Sequence, residues 1–329
     1  MTTAMVTGAS GYVGSRLVGA LHHRGHRVIA TGRSTDSLAD LDWPDEVERA
    51  ALDVSDARSC RDALERAGHV DVLYYLVHVV GADDFAAKDL ESARTLAGAA
   101  ADAGVSRIVY LGGLVPEGEE LSEHLRSRAA VGEELGAHGV DLVWLRAAII
   151  LGAGSASYEF IRQLVGRLRP VVPLPRWMDA PVEPIAVDDV LDYLCLSASG
   201  DVPPGAYDVA GPDQLSYADL VRTVARVAGL RRRFLHVRGI TPGMAAPVVA
   251  RLTRVPTAMV DDLVHSLVND MVAGDEAIAD LRPSGSPPLT PVVDALTRSE
   301  HTGSPLGVYR TEDPLRRHRD DAAWAGHRP

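Results

Sequence analysis

Four glycines set the rhythm of this chain. Gly25, Gly68, Gly104 and Gly139 each fall between a helical stretch and the next apolar run, where a helix closes on a left-handed residue and glycine carries no Cβ penalty. The apolar runs are short and rich in β-branched residues, at 4–7, 27–31, 47–52, 72–77, 107–111 and 142–145. Helical periodicity fills the intervals near 12–24, 56–67, 84–103 and 119–138. Short apolar strands alternating with helices predict an α/β domain over residues 1–150, a doubly wound parallel sheet covered on both faces.

Beyond residue 150 the alternation loosens. Pro170, Pro173, Pro175, Pro181 and Pro184 mark an irregular stretch. Helices are expected at 187–197, 217–227, 241–253 and 257–270, with a short strand at 207–210. Residues 151–281 are therefore read as a smaller substrate-binding region. The run Arg282-Pro283-Ser284-Gly285-Ser286-Pro287-Pro288 opens a linker and polar tail over 282–329, expected to be a poorly ordered terminus, with a partner-wrapping arm as the alternative.

The sharpest chemical signal is Thr7-Gly8-Ala9-Ser10-Gly11-Tyr12-Val13-Gly14, where the first strand meets the first helix. Such glycines allow a tight turn, close approach of backbone to a pyrophosphate, and close packing of helix on sheet. The helix N-terminus then offers free N–H groups and partial positive charge to the phosphates. The motif opens a βαβ series, the context it requires. At the end of the second strand, Thr31-Gly32-Arg33-Ser34 carries no carboxylate for a ribose 2′-hydroxyl. An arginine there suits a 2′-phosphate, so NADP(H) is the expected cofactor, with Arg33 and Ser34 discriminating.

With these motifs the chain resembles the short-chain dehydrogenase/reductase superfamily, in its extended and atypical branch, over roughly residues 3–275. Leu52-Asp53-Val54, Leu145-Arg146-Ala147 and Pro184-Ile185-Ala186-Val187-Asp188-Asp189-Val190 match later segments of that family. The resemblance implies a Rossmann fold and adenine contact at Asp53 and Val54. It also implies a tyrosine with a lysine four residues on, the lysine lowering the tyrosine pKa for proton transfer. Here the chain departs from its family. Of 33 basic residues only Lys88 is lysine, and none of the nine tyrosines is followed by lysine at that spacing.

His124 and Arg128 stand at the family's position with the same i, i+4 spacing, on one helical face. Arg128 falls within the apolar stripe of Leu121, Leu125, Gly132 and Leu135, where a charge needs a partner. The pair is expected to replace tyrosine and lysine, a cation lowering the histidine pKa. The alternative is an exposed His124 and an Arg128 bonded to Glu133 or Asp188. His78, after the fourth strand, lies at the sheet edge where ligands bind, and is a further catalytic candidate beside a structural reading. Gly113 takes the place of the family's serine. Tyr158 and Arg162 are expected to touch substrate. The cluster His22-His23-Arg24-Gly25-His26 is read as a solvated helix end, and no metal is expected.

A formal charge of −12 argues against nucleic acid and anionic membrane as partners. Apolar runs such as 72–77 and 147–151 are far below the ~20 residues of a membrane span. Two cysteines make no disulfide framework, and no signal segment is visible, so a cytoplasmic protein is expected. The oligomeric state is open, a homodimer included. The leading expectation is an NADP-dependent reductase passing hydride to a small, mostly apolar carbonyl, imine or activated alkene. Two other classes stay open: an NADP-binding redox sensor without turnover, and a non-redox isomerase or cyclase on the same fold.

Overall fold

A computed structural model describes residues 1–78, 85–116, 122–274, 278–300, 313–318, 321–322 and 324–325. Strands and helices alternate through the first half. They run β1 (Thr3–Val6), α1 (Tyr12–His23), β2 (Arg27–Gly32), α2 (Asp36–Ala39), β3 (Glu48–Ala51) and α3 (Ala57–Ala67). The series continues with β4 (Val72–Tyr75), α4 (Phe85–Asp102), β5 (Arg107–Gly113), α5 (Glu123–Gly136) and β6 (Asp141–Ala147). The four punctuating glycines all have positive φ, between 71° at Gly104 and 81° at Gly25. That shared backbone state is why the spacing could be read without a structure.

The second half adds β7 (Ile150–Leu151), α6 (Ala156–Arg167), β8 (Val171–Pro175), β9 (Pro181–Val182), β10 (Ile185–Ala186), α7 (Val187–Leu196) and β11 (Gly205–Val209). It ends with β12 (Leu215–Ser216), α8 (Tyr217–Val227), β13 (Arg233–Val237), α9 (Pro242–Leu252), α10 (Thr257–Ser266) and α11 (Val292–Glu300). No helix among the described residues is long and apolar enough to cross a membrane.

One seven-stranded parallel sheet organises the molecule, in the order β11-β6-β5-β4-β1-β2-β3. Successive side chains serve opposite faces. Ala4 and Val6, with Val72 and Tyr74, pack into the core shared with α1 and α7; Met5, Leu73 and Tyr75 enter the core under α3 and α4. All four residues of β4 are buried, as a strand covered on both faces requires. The chain reverses its direction of travel across the sheet between β1 and β4. In doubly wound folds that reversal opens the ligand crevice at the carboxyl ends of the strands.

Three features differ from the sequence reading. The sheet is completed from beyond residue 150, because β11 pairs in parallel with β6. Proline-rich β8 is a strand after all, paired in parallel with β13; a two-stranded edge tolerates the N–H groups that proline lacks. The polar tail, expected to be poorly ordered, is docked in its described parts. Buried Arg16 pairs with Asp321 at 2.7 Å and 2.9 Å and donates to Pro314 O and Arg316 O. Leu315 O accepts from Ala153 N, and Leu315 and Ala325 are fully buried. A buried arginine in α1 demands a carboxylate, and the tail supplies it.

Candidate active site

The glycine loop closes on itself so tightly that side chains have no room. Gly8 has φ +65°, and a Cβ there would lie 2.6 Å from Leu76 O; at Gly14 it would lie 2.2 Å from Gly8 O. Gly11 caps α1 without a side-chain hydrogen bond, which leaves the helix N-terminus open. Gly8, Gly11, Tyr12, Val13 and Gly14 form one wall of a cavity of about 430 Å³. A bare backbone turn at an uncapped helix N-terminus fits a pyrophosphate, by close approach and by dipole. Ala9 is buried and Ser10 exposed. The Tyr12 ring lies 4.0 Å beneath the Arg16 guanidinium, and burial pushes its hydroxyl pKa up, so it stays protonated near neutrality.

Across the cavity stand the two ionisable groups that the missing tyrosine–lysine pair brings into question. His78 follows β4, and its Nδ1–H donates to Asp89 Oδ2 on α4 at 2.7 Å. That bond makes Nε2 the titrating nitrogen. Burial, chiefly, holds the His78 pKa below its ordinary value; the Arg128 charge pushes the same way, while Asp89 opposes both. Arg128 lines the cavity with His78, Gly112, Gly113 and Leu125. Among the described residues its guanidinium makes no hydrogen bond or ion pair. Asp188 is taken by Arg298 at 2.8 Å and Glu133 is exposed, so neither carboxylate neutralises Arg128.

His124 lies in α5 one turn before Arg128, on the backbone evidence of the helix; its side chain falls outside the described residues. His78, the other histidine expected to carry a proton, has its side chain in the cavity wall. Asp89, which positions His78, was missed, although a signal existed. It falls in the α4 stripe with Ala93, Leu96 and Ala100, all buried, and a carboxylate in such a stripe needs a partner just as Arg128 does.

The remaining predicted residues divide. Arg33 is exposed at the end of β2, and its charge helps lower the Asp53 pKa, after the larger effect of hydrogen bonds from Ser55. The two follow neighbouring strands of the sheet, β2 and β3. The Ser34 hydroxyl accepts from Ser37 N at 3.3 Å, and Val54 is buried in the core with Cys60 and Leu64. Tyr158 and Arg162 do not line the cavity. Tyr158 donates to Glu300 Oε1 at 2.5 Å, and Arg162 is bound to Glu159 at 3.2 Å. Helix α6 turns these two side chains into the core, and presents Ala156 and Ser157 to the cavity instead. The far wall comes from Met259 and Leu263 of α10, with Leu267 and Met271 beyond it.

Residues 8–159 match the NAD(P)H-binding family. Sterol demethylase protein B of Methylococcus capsulatus is 33% identical over 189 residues, 50% of this chain and 55% of that protein. Divinyl chlorophyllide a 8-vinyl-reductase of Zea mays is 48% identical over 46 residues, 14% of this chain and 12% of that protein. The chain thus spans about half or less of the curated relatives it matches. Among solved structures, a nucleoside-diphosphate-sugar epimerase from Staphylococcus aureus superposes with TM-score 0.70 at 16% identity, covering 90% of this chain and 99% of that one. The Bordetella bronchiseptica enzyme WbmH in complex with NAD+ gives 0.64 at 16% identity, covering 90% and 96%. Glycine cradle, sheet order and family match agree: residues 8–159 match the NAD(P)H-binding family, and the chain shares its fold with these enzymes, while none of its tyrosines is followed by lysine four residues on.

Proposed function

We propose that this protein is an NADP-dependent reductase acting on an apolar carbonyl, imine or activated alkene. The observation that carries the reading is the His78–Asp89 pair, set in the same cavity as the glycine cradle and Arg128. NADPH, when bound, supplies the hydride. His78, held by Asp89, gives the matching proton to the substrate from Nε2. Arg128 places a positive charge at the cavity wall, where negative charge developing on a substrate oxygen would be stabilised. Apolar side chains of α10 keep bulk water from the reacting groups.

Arg33 supports NADP over NAD: it is exposed, makes no hydrogen bond or ion pair among the described residues, and occupies the end of β2 where a carboxylate would repel a 2′-phosphate. Among the relatives' names, an 8-vinyl-reductase accords with reduction of an alkene, and a sterol demethylase protein with an apolar substrate.

The test is His78→Ala, with NADPH affinity and turnover measured separately. Turnover is expected to fall roughly 100-fold or more with NADPH affinity retained. In the wild type, ketone reduction should rise as pH falls from 7.5 towards the depressed His78 pKa, and His78→Ala should flatten that profile. Unchanged turnover in the variant would reject the proton-transfer role.

A further inference from the structure

Beside the dinucleotide cavity lies a second chamber of about 320 Å³, walled by α6, α8, α9, α10 and β8. Among the described residues no charged one lines it. Its two polar-capable walls are Trp177, whose indole N–H is committed to Ile240 O at 2.9 Å, and Tyr217. Phe160, Leu164 and Val221 supply the depth. Water in such a space finds too few partners to be held, so the natural occupant is hydrocarbon.

The chamber adjoins the candidate active site. Tyr217, at the start of α8, and Leu267, just after α10, line both. Charge and proton-carrying groups are confined to one side of that boundary, with His78 and Arg128, and apolar surface fills the other. Met244 and Val248 on α9 give the chamber an apolar, solvent-exposed part of its lining, 59% and 58% exposed.

We infer that the substrate is an extended hydrocarbon rather than a small molecule. Its reacting carbonyl or alkene lies beside His78, and its chain or ring system passes Tyr217 and Leu267 into the apolar chamber. For the chemistry this rests on the reductase reading; for the binding it stands alone.

The test is a homologous series of straight-chain alkan-2-ones, from hexan-2-one to tetradecan-2-one, competing with Nile red on the NADP-loaded protein. Affinity is expected to tighten about threefold to fourfold per methylene over several methylenes and then level off. Ala245→Phe, which plugs the chamber from α9, should abolish that gradient, while an unchanged NADPH titration verifies the fold. Val248→Trp, on the exposed part of the lining, makes the same test without entering the core. A flat series in the wild type, or a gradient that survives both substitutions, would overturn the inference. NADPH oxidation in the same series separates the two readings. A steep affinity gradient with no oxidation removes the reductase and keeps the chamber; oxidation with a flat gradient does the reverse.

Discussion

The dinucleotide cavity and the apolar chamber share two wall residues but are specified by different physics. The first is made by backbone: glycines at 8, 11 and 14, an uncapped helix start, and a strand-order reversal that opens the sheet. The second is made by volume alone, from side chains of helices scattered over more than a hundred residues. Changes in the cradle should therefore act through geometry and charge whatever their size. Changes in the chamber should act in proportion to the space they fill.

The largest effect is expected behind the cradle, where Arg16 is buried beneath the docked tail. Asp321→Ala leaves that guanidinium without its carboxylate, and should lower unfolding stability by about 3 kcal/mol in a denaturant titration. An unchanged midpoint would mean that the tail contributes nothing to the N-terminal half. Gly14→Ala comes next, because its Cβ would sit 2.2 Å from Gly8 O. NADPH affinity should fall roughly 10- to 100-fold, the scale of an overpacking cost expressed as binding, with Nile red binding in the chamber retained. If both fall together, the two cavities are not independently specified.

Arg33→Ala sharpens the cofactor side of the comparison. NADPH affinity should drop about tenfold, as for the loss of a hydrogen bond to a charged group, and NADH affinity should stay constant. Equal losses for both would place Arg33 outside the 2′-phosphate site.

The smallest effect is a pH dependence. Burial, with help from the Arg16 charge, lowers the His318 pKa to about 4 from its ordinary 6.5. The unfolded chain binds this proton more readily, so the contribution to stability is complete above pH 6.5 and is lost as pH falls towards 4. Between pH 7.5 and 5.5 the loss should be about 1 kcal/mol, and His318→Gln should remove it. A wild type whose stability difference matches the variant's at both pH values would show His318 to be silent.

The same contrast explains what the amino-acid sequence disclosed. Strand and helix positions in the first half were readable because β4 and its neighbours are buried on both faces, and because each punctuating glycine has a positive φ. Helix α6 escaped notice. Glu159, Arg162 and Gln163 are all buried in it, so its inward face looks polar, and only the Ser155 cap, accepting from Tyr158 N at 3.2 Å, marked its start. For the same reason Tyr158 and Arg162 read as substrate contacts when they are satisfied core groups. The docked tail was illegible because its partner, Arg16, lies about 300 residues away in sequence. At the site, Arg128 was found by its place in an apolar stripe. Asp89 obeys the same logic, but its meaning depends on His78, eleven residues earlier, a contact that periodicity does not encode.

The central claim is that the cavity holding His78, Arg128 and the glycine cradle carries out net reduction. NADPH deuterated at the transferable nicotinamide position, incubated with ketones, imines and enones bearing long hydrocarbon chains, tests this by mass spectrometry of the products. The account predicts one deuterium per product molecule, lost in His78→Ala with NADPH still bound. Tight NADPH binding with no label in any product, or conversion of a substrate with all the label kept on the cofactor, would contradict it.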